Sequence, residues 1–235
     1  MRDPAAACQA MRYPGGKGGA GIHQTIINLM PPHRVYIEPF VGGGNIYARK
    51  RPAQHSIIID ASSEVFEYFS KAKTLATTVI CGDAIEYLAS YDWQGDELVY
   101  CDPPYVMAAR SGLTIYQHEF TDQQHHDLLD VLLAIPAAVM LSGYSNAIYD
   151  GRVPKSWNEV NFQSMTRGGV RTESLWMNFT PPAVPAELTY LGRDYRERER
   201  IKRKKARWAA KLSKLPAAER AAIMEALREM MVLEE

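Results

Sequence analysis

Short apolar runs alternate with amphipathic stretches along the chain from residue 34 onward. The runs are rich in β-branched residues and end at polar or turn residues, while the stretches between them repeat apolar residues at helical spacing. This pattern predicts an α/β fold with a mostly parallel sheet covered by helices on both faces. Strands are predicted at residues 34–38, 55–60, 77–83, 97–102 and 137–145. Helices are predicted at residues 62–73, 84–91 and 121–135, and a closing hairpin at 157–165 and 171–179.

The chain changes character near Leu191. Residues 193–207 hold nine basic and three acidic residues, so this segment carries +6 and the remainder of the formally neutral chain carries −6. After Pro216, a second helical stretch places Ile223, Leu227 and Met230 or Met231 on one face. We therefore predict a main α/β domain at 11–191 and a basic, amphipathic helical tail at 192–235, whose last helix would pack against the α/β domain or mediate self-association.

Composition narrows the class of protein. The chain has 235 residues, of which 46% are apolar, enough for a sizeable core. Its three cysteines show no C-x-x-C spacing, and Cys81 and Cys101 fall in apolar runs, so we expect reduced, buried thiols. No leader opens the chain, and the longest nearly apolar stretch, residues 131–141, is too short to span a bilayer and contains Pro136. These features predict a cytoplasmic protein.

The stretch "VYCDPPYV" ends one of the predicted strands in an unusual way. Pro103 and Pro104 cannot donate ladder hydrogen bonds, so they stop the strand and leave Asp102 at its carboxyl end, where open α/β sheets bind ligands. The Asp102 carboxylate, the nearby backbone carbonyls and the Tyr105 ring suit a planar group that carries an NH2. A proline-rich turn without chemistry is the alternative.

A glycine-rich turn, Gly42 to Gly44, follows the strand that ends at Glu38 and is predicted to lead into a helix. Its spacing is neither that of a dinucleotide fingerprint nor that of a phosphate loop. The next strand ends at Asp60, which is well placed for ribose hydroxyls, and the third ends at Asp83, a candidate contact for an adenine amine. For both aspartates, a helix N-cap is the alternative.

Taken in order, "MRYPGGKGG", "YIEPFVGGGN", "IIIDAS", "VICGDA" and "VYCDPPYV" resemble the Dam-type family of N6-adenine-specific DNA methyltransferases, in a compact form. "FTDQQHHDLLDVL", "VMLSGYSNAIY" and "RTESLWMNF" resemble later motifs of that family, so the resemblance covers residues 11–179. It implies S-adenosylmethionine as methyl donor and a Rossmann-like sheet with an antiparallel edge hairpin. It also implies transfer to adenine N6 in DNA.

The resemblance assigns residue roles. Tyr13, Lys17, Asp60 and Asp102 occupy the family's donor and substrate-binding positions, although Tyr13 replaces the tryptophan common there. Asp102 and the Pro103 carbonyl would hold the two N–H bonds of a flipped adenine, and Tyr105 would stack on the base. The predicted catalytic residues are Asp102, Pro103, Pro104 and Tyr105. The predicted donor-binding residues are Tyr13, Lys17, Glu38, Phe40, Gly42, Gly44, Asn45, Asp60, Asp83 and Ala84.

Candidate DNA contacts fall in three segments. Arg110 and His118 lie in the loop that leaves the catalytic corner, where solvated surface residues are the alternative. The other candidates are Arg167 and Arg171 in the hairpin, and Arg196, Arg200 and Lys204 in the tail. His125 and His126 adjoin Asp127 but point different ways on a helix, so we expect no metal. Trp176 and Phe179 are expected in the core.

Three other functions stay open: an RNA adenine-N6 methyltransferase, a DNA cytosine-N4 methyltransferase, and a non-catalytic DNA-binding module on the same fold. Only eighteen residues, Ala84 to Cys101, separate Asp83 from Asp102. The recognition insertion typical of the family is therefore missing, which predicts relaxed sequence specificity. Phage or restriction-type modification and host regulation both fit the sequence.

Overall fold

The computed structural model describes residues 9–11, 13, 16–19, 21–109, 119–166 and 169–232. The chain divides into two units, residues 1–190 and residues 191–235.

The first unit is built on a seven-stranded sheet. Its strands are β1 (Val35–Glu38), β2 (His55–Asp60), β3 (Thr77–Cys81), β4 (Glu97–Cys101), β5 (Ala138–Gly143), β6 (Asn158–Thr166) and β7 (Gly169–Met177). They lie in the order β3-β2-β1-β4-β5-β7-β6. Strands β1 to β5 pair in parallel, whereas β7 pairs antiparallel with both β5 and β6. The mixed α/β, Rossmann-like fold with an antiparallel edge hairpin is therefore confirmed.

The described residues of this unit form five α-helices and one short 3-10 helix, Met107–Ala109. Helix α1 (Ile22–Asn28) precedes β1, whereas α2 (Ser63–Ala72), α3 (Ala84–Ser90), α4 (Asp122–Ala134) and α5 (Ala147–Arg152) lie in connections between strands. A capping box fixes the start of α4, because Thr121 accepts from Gln124 N and the Gln124 side chain accepts from Thr121 N. The sequence pattern predicted α2, α3 and α4 but neither α1 nor α5.

Both faces of the sheet are buried, as its parallel strands require. Val99 and Leu141 point into one core, packed with Leu128 of α4. Leu98 and Met140 point into the other. Neighbouring residues on one strand thus serve opposite cores, which is why the strands read as continuous apolar runs rather than as alternating patterns.

Two local predictions were wrong. The glycine turn after β1 does not lead into a regular helix; it is followed by turns at residues 45–49, and Gly42 and Gly44 themselves have left-handed backbone, with φ of +46° and +63°. A β-carbon at Gly44 would lie 2.4 Å from Phe69 Cζ, so only glycine fits there. Cys81 is exposed rather than buried, because β3 is the edge strand; Cys101, on central β4, is buried as expected.

The second unit contains two helices, α6 (Tyr195–Ser213) and α7 (Ala217–Val232). Asp194 caps α6 by accepting from Glu197 N at 2.8 Å. Glu197 pairs with Arg193 and Arg200, so part of the basic segment is neutralised within the helix. On α7 the apolar side chains of Ile223, Leu227 and Met230 are 38%, 44% and 61% exposed.

Among the described residues, none of the helices combines the length and apolar character needed to cross a membrane.

Candidate active site

The sheet brings the four acidic strand ends to one edge. Glu38, Asp60, Asp83 and Asp102 follow β1, β2, β3 and β4, which are adjacent and parallel. The strand order reverses between β1 and β4, and such a switch point opens a crevice at the carboxyl ends of the strands. The fold therefore provides the geometry that a shared site of these four residues would require.

A cavity of about 510 Å³ opens at this edge, within the range of small-molecule sites. Eight predicted site residues line it: Tyr13, Phe40, Gly42, Asp60, Asp83, Ala84, Asp102 and Pro104. A smaller cleft, which shares Tyr13 and Asp102 with this cavity, is lined by the other predicted donor-binding residues Lys17, Glu38, Gly44 and Asn45. Pro103 and Tyr105 are buried behind Asp102 and line neither space.

Asp102 is held in a buried ionic cluster. Lys17 Nζ lies 2.8 Å from Asp102 Oδ1 and 2.6 Å from Glu173 Oε1, and it also donates to the Tyr105 hydroxyl. Tyr105 Oη lies 3.0 Å from Asp102 Oδ1 and within hydrogen-bond reach of Glu173 Oε1. The Lys17 and Glu173 side chains are almost fully buried, and Asp102 is 17% exposed.

The charges of this cluster stabilise one another. Burial alone would lower the pKa of Lys17, but Asp102 and Glu173 raise it above its ordinary value, so Lys17 is an ammonium. Burial and the neighbouring Glu173 raise the pKa of Asp102, and Lys17 opposes them. Burial and the two carboxylates raise the pKa of Tyr105 well above its ordinary value, so its hydroxyl stays protonated.

Sequence reasoning missed Glu173. It lies on β7 next to the buried Ser174 and Leu175, in the stretch "RTESLWMNF" whose apolar residues we assigned to the core. The available signal was an acidic residue beside an apolar strand core, since a buried carboxylate needs a partner. The partner, Lys17, lies far away in the sequence, in a glycine-rich segment, so no local pattern connects the two.

Asp60 fastens the glycine turn to the end of β2. Its Oδ2 accepts from Gly42 N at 2.9 Å, and its Oδ1 accepts from Ser62 N at 2.9 Å. Ser62, not Asp60, is the N-cap residue of α2. Tyr13 packs on the other side of the turn, because a β-carbon at Gly42 would lie 3.0 Å from its ring; burial and Asp60 raise the pKa of Tyr13 to about 12.

Asp83 is the N-cap of α3, the alternative weighed for it from the sequence. Its Oδ1 accepts from Ile85 N at 2.7 Å and from Glu86 N at 3.1 Å. It also lines the 510 Å³ cavity, beside Ala84. Contact with an adenine amine therefore stays a prediction, and it would use a carboxylate that already holds a helix end.

Glu38 is a buried acid at the inner end of the smaller cleft. It accepts from Tyr36 Oη at 2.7 Å. Burial raises the pKa of Glu38 to about 8, with Asp102 adding to the shift. Asn45 is oriented by Arg49, which donates to Asn45 Oδ1 at 2.7 Å. Both residues line the smaller cleft, and their part in donor binding stays a prediction.

The residues predicted to bind the donor have the chemistry that S-adenosylmethionine would need. Asp60 offers a carboxylate at the end of β2, and carboxylate oxygens accept hydroxyl hydrogen bonds as well as amide ones. Phe40 provides an aromatic wall, braced edge-on by Phe120 with ring centroids 5.3 Å apart. The glycine turn presents backbone without β-carbons at Gly42 and Gly44. The cavity thus has a polar end, an apolar wall and a close backbone approach.

The Tyr105 ring is not open for stacking in this arrangement. It is 8% exposed, with Lys17 Nζ 4.8 Å from its centroid and the Tyr144 ring edge-on at 4.7 Å. The guanidinium of Arg171 lies 5.2 Å from the centroid of Tyr144, and its Nη1 donates to Ala109 O at 2.7 Å. Contact between Tyr105 and a base therefore requires these neighbours to shift.

The remaining DNA-contact candidates divide by location. Arg110, His118 and Arg167 lie outside the described residues. Arg171 is partly buried in the contact with Tyr144. Arg196, Arg200 and Lys204 are exposed on α6 of the second unit.

The histidine pair on α4 is used within the protein. His125 is buried and its Nδ1 lies 3.0 Å from Tyr149 Oη, while His126 Nδ1 lies 3.1 Å from Arg152 Nη1. In the part of the chain that the structure describes, no three His, Cys, Asp or Glu side chains are grouped to hold a metal ion. Trp176 is buried in the core that holds Leu141, and Phe179 is partly buried against the core that holds Met140, as expected.

The central part of this unit matches a known protein family. Residues 62–148 match the D12 class N6 adenine-specific DNA methyltransferase family. The resemblance is thereby confirmed over these residues, which include Asp83, Ala84 and the Asp102–Tyr105 tetrad. The match supports methyl transfer as the activity. Tyr13, Lys17, the glycine turn and Asp60 lie before the matched segment, and Glu173 lies after it.

Several solved structures are similar to the chain. Precorrin 8W decarboxylase from Methanobacterium thermoautotrophicum is 11% identical, with 72% of this chain and 94% of that chain covered and a TM-score of 0.47. Spermidine synthase from Thermotoga maritima is 11% identical, with 68% and 59% covered and a TM-score of 0.43. A dimethyladenosine transferase from Plasmodium falciparum is 13% identical, with 68% and 60% covered and a TM-score of 0.41. No curated protein sequence is significantly similar to the chain.

Proposed function

We propose that this protein transfers a methyl group from S-adenosylmethionine to the N6 amine of adenine in DNA. The observation that carries the proposal is the position of Asp102. It lies at the carboxyl end of β4, beside the switch point of the sheet, and it lines the same cavity as Asp60. Asp102 also lies within the segment that matches the D12 class family.

The target amine needs alignment rather than deprotonation, because its lone pair is delocalised into the adenine ring. Asp102 supplies a carboxylate acceptor and Pro103 a carbonyl acceptor, which together can hold both N–H bonds. The lone pair of the nitrogen then points toward the cavity that Asp60 and Phe40 line. S-adenosylmethionine, when bound, supplies an activated methyl group on its sulfonium. Holding the amine in line with that methyl contributes by orientation.

An adenine inside a duplex is inaccessible to Asp102, so the proposal includes base flipping. The flipped base would enter beside Tyr144 and displace it from the Tyr105 ring, while Lys17 keeps its ion pairs with Asp102 and Glu173. Arg171 would then move with Tyr144, because the two side chains stack. The aromatic pair that the base replaces is worth about 0.5–1.5 kcal/mol.

DNA is the proposed partner because of charge distribution as well as family. Residues 193–207 carry +6, and Arg196, Arg200 and Lys204 are exposed on α6 at a spacing of four residues, on one side of the helix. Such a stripe suits a phosphate backbone. Glu197, which pairs with Arg200 at 3.2 Å, supports the alternative of a solvated helix with internal ion pairs.

Methylation of mixed-sequence duplex DNA with labelled donor, followed by nucleoside analysis, tests the proposal. N6-methyladenine formed by the wild-type protein and not by Asp102→Ala is the expected result. Label in cytosine N4, or in RNA offered in a parallel reaction, would replace the proposal with one of the other two enzymes. Donor binding without transfer to any nucleic acid would favour the non-catalytic module.

A further inference from the structure

A second buried carboxylate, Glu173, stands against the lysine that holds Asp102. Glu173 lies on β7 of the antiparallel hairpin, opposite Phe162 of β6. Its side chain is 3% exposed, and its Oε1 lies 2.6 Å from Lys17 Nζ. Burying a charge is costly unless it is paired, so a side chain kept in this position calls for a physical account.

The hydrogen bonds of the cluster can be counted. An ammonium has three N–H donors, and Lys17 Nζ has three acceptors in reach: Asp102 Oδ1, Glu173 Oε1 and Tyr105 Oη. The Lys17 donors are therefore all occupied. Tyr105 has one hydroxyl hydrogen for two carboxylates, Asp102 Oδ1 and Glu173 Oε1, so it donates to one of them at a time. Within the described residues, the contacts that Lys17 and Tyr105 make with the Asp102 carboxylate both fall on Oδ1.

We infer that Glu173 is a positioning residue for the proposed methyl transfer. It holds the Lys17 ammonium and the Tyr105 hydroxyl on the Oδ1 side of Asp102 and so presents Oδ2 to the target amine. The inference rests on the proposed function and adds to it a residue outside the catalytic tetrad and outside the matched segment. Glu173 acts through Lys17 and Tyr105 and does not touch the substrate.

Charge neutrality alone does not explain Glu173. Lys17 and Asp102 already neutralise each other, and Glu173 brings the sum of the cluster to −1. A glutamine of the same shape would leave the sum at zero, so a purely structural pair would be complete without the second carboxylate. Glu173 does what a neutral side chain cannot: it draws the ammonium strongly toward β7 and leaves the lysine no spare donor for Asp102 Oδ2.

The position of Glu173 also predicts a change in the pH profile of kcat, which a purely structural role would not produce. Asp102 accepts the amine only when ionised, so activity falls as pH drops through its pKa. The charge of Glu173 raises the pKa of Asp102, and Lys17 lowers it. Glu173→Gln therefore shifts the acid limb of the kcat profile to lower pH. Glu38 also faces Asp102, but it titrates in both the wild type and the variant. Its effect therefore cancels when the two pH profiles are compared.

The experiment measures kcat, donor KM and the pH profile of the full-length protein with Glu173→Gln, Glu173→Asp and a control. Glu67→Gln on α2 is the control, since Glu67 is exposed and its Oε2 lies 3.9 Å from Lys71 Nζ of the same helix, away from the cluster. We expect Glu173→Gln to lose on the order of 10- to 100-fold in kcat, as misplacement of a reacting group does, with little change in donor KM. Glu173→Asp retains the charge at shorter reach, so it should keep the acid limb in place and recover part of kcat.

The outcomes separate the inference from the proposed function. Absence of methyl transfer by the wild-type protein would defeat the proposed function itself. An active wild type with a Glu173→Gln variant of unchanged kcat and unchanged acid limb would overturn the role of Glu173, as would a loss of melting temperature with no shift of the limb. Should Glu173→Gln not fold, Glu173→Asp decides: wild-type kcat in that variant contradicts the inference, and reduced kcat with an unmoved limb supports it.

Discussion

Asp60 accepts a hydrogen bond from Gly42 N at 2.9 Å, so the carboxylate that ends β2 fixes the turn that follows β1. The same carboxylate holds Ser62 N, at the start of α2. The segments that follow β1 and β2 are thereby both hydrogen-bonded to the Asp60 side chain, which lines the cavity. A residue predicted to bind the donor also organises the backbone around it.

Replacing Asp60 should therefore chiefly weaken donor binding. Asp60→Ala removes a charged acceptor, and hydrogen bonds to charged groups are worth about 1.5–3 kcal/mol. Asp60→Asn keeps an oxygen for Gly42 N but loses the charge, so its loss should be smaller. Calorimetric titration with S-adenosylmethionine measures both, with exposed Asp92→Ala as control. Unchanged donor affinity in Asp60→Ala would contradict the assignment.

Asp102→Ala should abolish methyl transfer and leave the fold intact. The substitution removes one of the two acceptors for the amine, and the Lys17 ammonium keeps Glu173 as a buried counter-ion at 2.6 Å. Donor affinity should stay close to that of the wild type, because Asp60 is untouched. Single-turnover transfer to DNA and a thermal melt are the measurements. Near-normal turnover in a folded variant would refute the role of Asp102.

Glu38 makes stability depend on pH. Its pKa is about 8 in the folded protein because of burial, against about 4.3 in an unfolded chain. Between these values the folded state binds more protons, so Glu38 stabilises the fold at low pH and this contribution is lost as pH rises toward 8. Each unit of the shift corresponds to about 1.4 kcal/mol.

Glu38→Gln should therefore flatten the fall in melting temperature between pH 6.5 and 8. The pKa of His33 is lowered to about 4 and that of Lys50 to about 8, so these two buried groups contribute mainly below or above this window. The difference between wild type and variant isolates Glu38. Parallel curves for the two proteins would show that Glu38 is ionised in the fold.

The sheet could be predicted from the sequence because each of its strands carries a local signal. The runs at 55–60 and 97–102 have apolar centres and end at an aspartate, and the strands end within one residue of those limits. The short helices α1 and α5, of seven and six residues, were missed, since such lengths show hardly any helical period. Helix α3 is equally short but was predicted, because it directly follows Asp83 at the end of a strand signal. The helix expected after the glycine turn was a wrong prediction, because a turn that starts a helix and a series of turns contain the same types of residue.

The site was predicted as far as it lies at strand ends. Asp60 and Asp102 are found there because parallel strands present their carboxyl ends together. Glu173 was missed, and the contacts of Lys17 were not foreseen, since their pairing depends on how the hairpin docks beside β5. An ion pair between residues so far apart in the sequence has no characteristic spacing by which a motif could reveal it.

The basic stripe on α6 should govern the salt dependence of DNA binding. If DNA contact involves four phosphates, log affinity falls against log salt with a slope of about −3.6, and each lost contact reduces the slope by about 0.9. The triple replacement of Arg196, Arg200 and Lys204 by glutamine should flatten the slope by up to about 2.7. Fluorescence anisotropy at several salt concentrations measures it.

A matched triple on the opposite side of α6 separates the stripe from net charge. Replacing Arg198, Lys202 and Lys205 by glutamine removes the same +3. We expect it to flatten the slope less than the stripe variant does. An identical slope in the wild-type and stripe variants would mean that α6 does not contact phosphate.

Sequence specificity is expected to be relaxed, because the chain has no element between α3 and β4 that could enter a groove. Only six residues, 91–96, separate Ser90 from Glu97. Base-edge readout needs side chains presented into a groove, and phosphate contacts carry no sequence information. The remaining candidates are the loop of residues 106–121, the hairpin near 167–171, and the two helices of the second unit.

Mapping of modified adenines at limiting enzyme tests this expectation. A flipped adenine is selected by its own pocket, so methylation should fall at many adenines with at most a short flanking preference. The stripe variant of α6 should lower the yield at all sites alike, since a phosphate contact weakens binding uniformly across sequences. Confinement of wild-type methylation to one motif of four or more fixed bases would defeat the prediction. If that confinement were lost in the stripe variant, α6 would be the element that replaces the missing insertion.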